Sequence, residues 1–307
     1  IERRQFFSIL AIDVPDKPEQ NAPGGGLLVS MLESEPNSAQ LGAGSGASGG
    51  GDSSSSGGSS AAQGTPVLKG EGRYVEDAVA NLRSGMGGVL DTSTVDYLVI
   101  GKDITPEMLT SAVGTWMFTT RAPSTLAVMT TDGKAAEFLK TKMIPGETLQ
   151  GAVETMRAQS CQGYGFIHHM PQLWQVMTTL TNGDGDILLP IMNADRENQS
   201  IESPGMAVYE GAKRVGSLTR QESGLACWIA ARTCQGGVRF FPFEGDELMA
   251  RLTRIKSEVR TVRAAAGLPD FTVNVDASGI LLDSGNYRIP LLGRGVLDRI
   301  QQALADN

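Results

Sequence analysis

The sequence predicts a mixed α/β (α+β) chain of more than one domain, with helices packed on mixed sheets and a strand-rich C-terminal region. Three patterns carry that expectation. Apolar runs of strand length alternate with helical faces through the first two thirds of the chain. The helical faces repeat at three- and four-residue steps. Beyond residue 200 the pattern changes to paired short runs separated by turn residues. With 307 residues, 40% of them hydrophobic and 20% charged, there is enough material for two or three cores.

The elements follow in order. Phe6 to Val14 is a continuous apolar run closed by Pro15, as expected of a buried strand. Leu27 to Leu32 forms a second strand after the Gly24-Gly25-Gly26 break. Residues 36–64 turn sharply to Gly, Ser and Ala, with almost no apolar surface to offset ordering entropy; they are expected to form a flexible surface loop inside one domain. Order resumes at Pro66-Val67-Leu68. Tyr74, Val75, Ala78, Val79 and Leu82 share one helix face. Val95 to Ile100 is a strand, and Thr105-Pro106 caps a helix whose face is Met108, Leu109, Ala112, Val113 and Trp116. A strand over Ser124 to Thr130, a turn at Asp132-Gly133 and a short helix from Lys134 to Lys140 come next.

Helices are then expected over 146–158 and around Leu173 to Leu180, followed by a strand at Ile187 to Ile191. The polar stretch from Asn193 to Ser203 marks the expected domain boundary, dividing 1–195 from 196–307, with a possible further division at 245/246. Met206–Tyr209 and Arg214–Leu218 flank Glu210-Gly211 as a hairpin. Strands are expected at Leu225–Ala231, Val238–Phe241, Arg254–Val262, Phe271–Val275 and Ile280–Asp283. A closing helix carries Val296, Leu297, Ile300 and Leu304.

Net charge of −8 and a pI near 4.9, with no dense Lys/Arg cluster, argue against nucleic acid as a partner. No run approaches the roughly 18 apolar residues of a membrane span. The chain starts at Ile1 without Met, consistent with a targeting segment ahead of it in a precursor. Cys161, Cys227 and Cys234 read as small buried thiols, with pairing of Cys227 and Cys234 across a hairpin as the alternative.

Several segments, taken in order, resemble the Ger(x)C family, the C subunit of bacterial spore germinant receptors. The run into Ile12-Asp13 is similar to the family's first strand, and Lys69-Gly70-Glu71-Gly72 with Glu76-Asp77-Ala78 to its first helix. Asp96 to Lys102, Ser124 to Met129, and Asp132 to Leu139 resemble the following strands and helix. Gly205 to Tyr209 with Arg214 to Leu218 resembles its hairpin. The chain departs from the family at Thr120 to Thr125, which lacks the acidic character of that segment. It also lacks a lipid-bearing Cys before the first strand, and its last helix stops early.

The resemblance implies a lipoprotein on the outer face of the spore inner membrane. Its partners there would be integral-membrane A and B receptor subunits, and its membrane contact an N-terminal lipid anchor. It implies no catalytic residues, metal or cofactor. An extracytoplasmic solute-binding protein for a small nutrient is the alternative, and it would require two similarly built lobes.

Candidate chemistry has plain structural explanations. Adjacent side chains point apart, so His168-His169 is a poor metal pair. Asn182-Gly183-Asp184-Gly185-Asp186 starts like a calcium loop, yet Ile187 replaces the required glycine and Asn193 the closing glutamate. Ser223-Gly224 and the Gly85–Gly88 stretch match no nucleophile or phosphate motif. Glu244 and Asp246 read as solvated charges in a polar turn. The chain is therefore expected not to be an enzyme.

Overall fold

The structure, a computed structural model, describes residues 4–16, 26–34, 66–118, 122–161, 170–182, 185–231, 233–234, 238–263, 269–283 and 295–306. The Gly/Ser tract at 36–64 lies outside the described residues, as do His168 and His169.

The main sheet has nine strands. β1 (Arg4–Asp13) lies third from one edge, with β2 (Leu27–Glu33) and β3 (Val67–Gly72) paired in antiparallel fashion on that side. On the other side β5 (Tyr97–Ile100), β6 (Ala127–Thr130) and β7 (Asp186–Asp195) run parallel to it. β8 (Ser200–Glu210) and β9 (Lys213–Thr219) then continue antiparallel. A short strand the sequence reading did not anticipate, β4 (Val89–Asp91), pairs with the first residues of β1.

Helices cover both faces, which is why the central strands read as unbroken apolar runs rather than alternating ones. Phe7, Leu10 and Ile12 of β1 and Leu98 and Ile100 of β5 share a core with α1 (Val75–Ser84), α2 (Pro106–Phe118) and α5 (Leu173–Asn182). Ile9, Ala11, Tyr97 and Val99 face the opposite layer, built from α3 (Ala135–Phe138) and α4 (Leu149–Cys161). The register shift between Phe7 and Ile9 lets Phe7 and Leu10 reach the same face despite their odd spacing. Of the expected α1 face, Val75, Ala78, Val79 and Leu82 are buried, whereas Tyr74 precedes the helix as its N-cap and is exposed. Burying each of the larger side chains contributes about 1.5–3 kcal/mol. Thr105 caps α2 as its sequence suggested, its hydroxyl accepting from the Met108 N–H at 3.3 Å.

At the division expected at 195/196 the chain makes the turn of the β7–β8 hairpin, and the main sheet continues to Thr219. A polar hairpin turn and a polar linker have the same composition. Two strand expectations are corrected. The first concerns Leu225–Ala231, which is helical within α6 (Arg220–Ala231). Thr219 and Glu222 form a capping box there: the Glu222 carboxylate accepts from the Thr219 N–H at 2.8 Å, and the Glu222 N–H reaches the Thr219 hydroxyl at 3.4 Å. The Thr-x-x-Glu signal was legible, and the apolar residues behind it are equally compatible with a short strand.

Second, Phe271–Val275 and Ile280–Asp283 belong to one strand, β13 (Pro269–Asp283). It pairs along the length of β12 (Asp246–Arg263) in a second sheet of four strands. β10 (Thr233–Cys234) and β11 (Val238–Phe243) pair with the opposite edge of β12. The division read at 245/246 is therefore the two-residue turn of the β11–β12 hairpin, with Glu244 and Gly245 at φ 50° and 89°. α7 (Val296–Ala305) closes this sheet, seating Val296 and Ile300 among Phe241, Phe243 and Leu248.

Candidate functional site

The parallel strands β1, β5, β6 and β7 all end at one edge of the main sheet, the exit edge. In open α/β sheets ligand groups gather beyond such strand ends. Asp13, at the end of β1, is 2% exposed, and its carboxylate accepts the backbone N–H groups of Ala135 at 2.8 Å and Ala136 at 2.6 Å. Burial pushes this carboxyl up from its ordinary range, against the opposing pull of those two bonds and of Lys134. Lys134 forms an ion pair with Asp16.

Gly101, just past β5, lies so close that a Cβ built on it would sit 2.0 Å from an Asp13 carboxylate oxygen. Only glycine leaves room for the carboxylate.

A second network crosses β6, β7 and β9. Asp132 accepts from Asn193 Nδ2 at 3.0 Å and from Arg214 Nη2 at 2.7 Å. Asn193 Oδ1 in turn accepts from the Thr131 hydroxyl at 3.1 Å and the Asp132 N–H at 3.0 Å. Below them the Tyr209 hydroxyl donates to Thr130 at 3.3 Å, and Thr130 to the Ile100 carbonyl at 2.8 Å. Partial burial would raise the Asp132 carboxyl, but the bonds from Asn193 and Arg214 win and hold it below the usual range. Its stabilising share is therefore present above the unfolded value and lost as pH falls through the lowered one. Arg214→Ala is expected to cost about 1 kcal/mol near neutral pH. That difference should shrink on acidification, as urea midpoints measured across the acid range would show.

Asp13, Asp16 and Asp132 each have a partner at this edge. Among the described residues no group of three His, Cys, Asp or Glu is arranged to hold a metal ion. The edge works as a lock joining strand ends to α3 and to β9.

The residues singled out in the sequence are dispersed. Asn182 ends α5 and Asp186 opens β7, while Gly183 and Asp184 of the calcium-like stretch lie outside the described residues. Ser223 is buried inside α6 and donates to the Thr219 carbonyl at 2.7 Å. Gly85 is the C-cap of α1. Glu244 sits in its hairpin turn and pairs with Arg299 at 2.5 Å, and Asp246 opens β12. Cys227 lies on α6 and Cys234 on β10, so the hairpin that would have carried their pairing does not form. Asp13, Gly101, Asp132, Asn193 and Arg214 were not singled out as a site. The available signals were an Asp ending an apolar run and a Gly directly after a strand.

At the opposite, entry edge a cleft of about 620 Å³ opens between α1, α2 and β4. Arg4, Arg83, Val89, Asp91 and Thr115 line it, and Trp116 contributes to its wall. Thr115 donates to Glu76 at 3.2 Å, and Arg4 pairs with Asp91 at 3.4 Å.

Comparison with known proteins bears on this arrangement. The family profile described as "Spore germination protein N-terminal domain" matches residues 1–194. The chain belongs to that spore germination family. No curated protein matches it. Among solved structures it is similar to the one titled "Crystal Structure of the GerBC protein", at 16% identity and a TM-score of 0.53. The match covers 97% of this chain and 77% of that one. At that identity the likeness concerns the fold, which is the mixed α+β architecture expected from the sequence.

Membership of the spore germination family agrees with the resemblance read from the ordered motifs. The family-like Lys69-Gly70-Glu71-Gly72 segment is β3 and its approach to α1. A Cβ on Gly70 would fall 2.0 Å from the Ala78 carbonyl oxygen. The glycine is there so that α1 can lie directly on the strand.

Proposed function

We propose that this chain is a non-catalytic C-type subunit of a spore germinant receptor. In this reading it acts through assembly with the integral-membrane A and B subunits and is held at the outer face of the spore inner membrane by an N-terminal lipid. The observation that carries the reading is the family match over residues 1–194. The pairing of Asp13 and Asp132 supports it, since these carboxylates are used to hold strand ends together. No helix among the described residues is long and apolar enough to cross a membrane. A single acyl chain binds a bilayer only marginally, so contacts with membrane subunits would supply part of the attachment.

Detergent extraction of spore membranes carrying the tagged, full-length protein tests this. The A and B subunits are expected to elute with it. Elution of the protein alone, under conditions that keep A and B together, would sink the assignment. The solute-binding alternative gains no support from the architecture: a nine-stranded sheet with helices on both faces and a four-stranded antiparallel sheet are not two similar lobes.

A further inference from the structure

The entry edge of the main sheet differs in character from the exit edge. β5 and β6 start there level with Ile9 of β1, so that Ile9, Tyr97 and Ala127 lie side by side and β1 extends past them to Arg4. α2 runs back from the exit edge and ends at Phe118, which is 74% exposed. The Trp174 backbone N–H donates to the Ser124 carbonyl just ahead of β6, which sets the start of α5 at the same edge; the half-exposed Trp174 indole donates to Gln172 Oε1 at 2.6 Å. Phe6 and Val89 lie on the paired first residues of β1 and β4, each 43% exposed. Arg4 and Arg83 flank the cleft between them.

We propose that this entry edge rests on an anionic lipid surface, with Phe118 and Trp174 entering the headgroup layer and Arg83 facing lipid phosphates. The proposal builds on the membrane-attached reading above and adds the orientation. Three features select lipid as the occupant. Aromatic residues with a polar handle, such as Trp174, concentrate at the boundary between water and hydrocarbon. Arg83 is exposed at the edge of a chain whose overall charge is −8. Of the acids nearby, Asp91 pairs with Arg4, Glu76 accepts from Thr115, and Asp96 and Glu154 both accept from the Gln150 amide, at 2.8 and 3.1 Å. Finally, β1 enters the sheet here, so a lipid carried ahead of residue 1 would reach the bilayer from this side. Aromatic insertion would then supply the second contribution that one acyl chain needs.

The test uses the 307-residue chain with an N-terminal hexahistidine tag. Vesicles of phosphatidylcholine and phosphatidylglycerol, doped with a nickel-chelating lipid, hold it through a tether that stands in for the anchor. Retention is measured against rising imidazole. Phe118→Ser with Trp174→Ser is expected to weaken retention about tenfold. Arg83→Gln, or omission of phosphatidylglycerol, should weaken it a few-fold, on the order expected for one basic residue at an anionic surface. Phe271→Ser, on the equally exposed β13, should leave it unchanged.

Equal retention of wild type and the double variant overturns the proposal, as does an equal loss from Phe271→Ser. If the double variant keeps its vesicle retention but no longer co-purifies with A and B, the edge is a protein interface and the lipid assignment fails. Because the tether replaces any natural lipid, these outcomes are independent of whether the receptor-subunit reading holds.

Discussion

Gly70→Ala is expected to destabilise the N-terminal sheet by about 3 kcal/mol, with a fall in thermal midpoint of roughly 10 °C. The added methyl has nowhere to go. An ideal Cβ would lie 2.0 Å from the Ala78 carbonyl oxygen, 2.7 Å from the Leu82 nitrogen and 2.8 Å from the Leu82 Cβ, two of which are helix backbone. No rotamer relieves a backbone clash, so α1 must lift from β3 and take with it the burial of Val75, Ala78, Val79 and Leu82. Gly133→Ala is the matched control, because nothing lies within 4 Å of its would-be Cβ. Differential scanning calorimetry of both variants reads the contrast. A Gly70→Ala midpoint equal to wild type would mean that α1 does not sit on β3 as described.

The second large effect is expected at Asp13. Asp13→Ala removes the acceptor for two backbone N–H groups at a nearly closed site, at a cost of about 2–4 kcal/mol. Asp13→Asn keeps one acceptor oxygen and places an amide donor against the other N–H, so an intermediate loss is expected. Its pH dependence has a definite sign. Burial raises the folded value of this carboxyl above the ordinary 3.8, so ionisation costs more in the folded chain than in the unfolded one. The Asp13 contribution is therefore greatest below the unfolded value and declines as pH rises through the raised one. The advantage of wild type over Asp13→Asn should accordingly be larger near about pH 4 than near about pH 7 in urea titrations. An advantage that grows with pH would show that the two backbone bonds outweigh burial.

Much of the fold was legible because its signals are local. The apolar run of β1 and the α1 face can be read within a few residues, as can Thr105 before Pro106 and the Glu210-Gly211 turn. Reading failed where one local pattern has two solutions. Leu225 to Ala231 suits a strand as well as a helix, and the capping interaction of Thr219 with Glu222 decides for the helix. The polar turns at 196–199 and 244–245 have the composition of linkers, and the strands on either side pair across them.

The candidate edges were less legible. Asp132 and Arg214 are 82 residues apart in sequence and meet only because β6, β7, β8 and β9 are neighbours in that order. Phe118 and Trp174 reach one edge only because α2 runs antiparallel to the strands and α5 begins beside Ser124.

By itself, then, the sequence determined that helices cover a mixed sheet, the family-like order of segments and the acidic balance. Tertiary structure alone decided which strand ends share an edge, that Asp13 is enclosed against Gly101 and α3, and that exposed aromatic residues gather where β1 enters the sheet. The reason is physical: side-chain periodicity reports burial within one element, whereas strand order and register set the contacts between distant elements, and a lone Asp, Gly or Phe carries no periodicity at all.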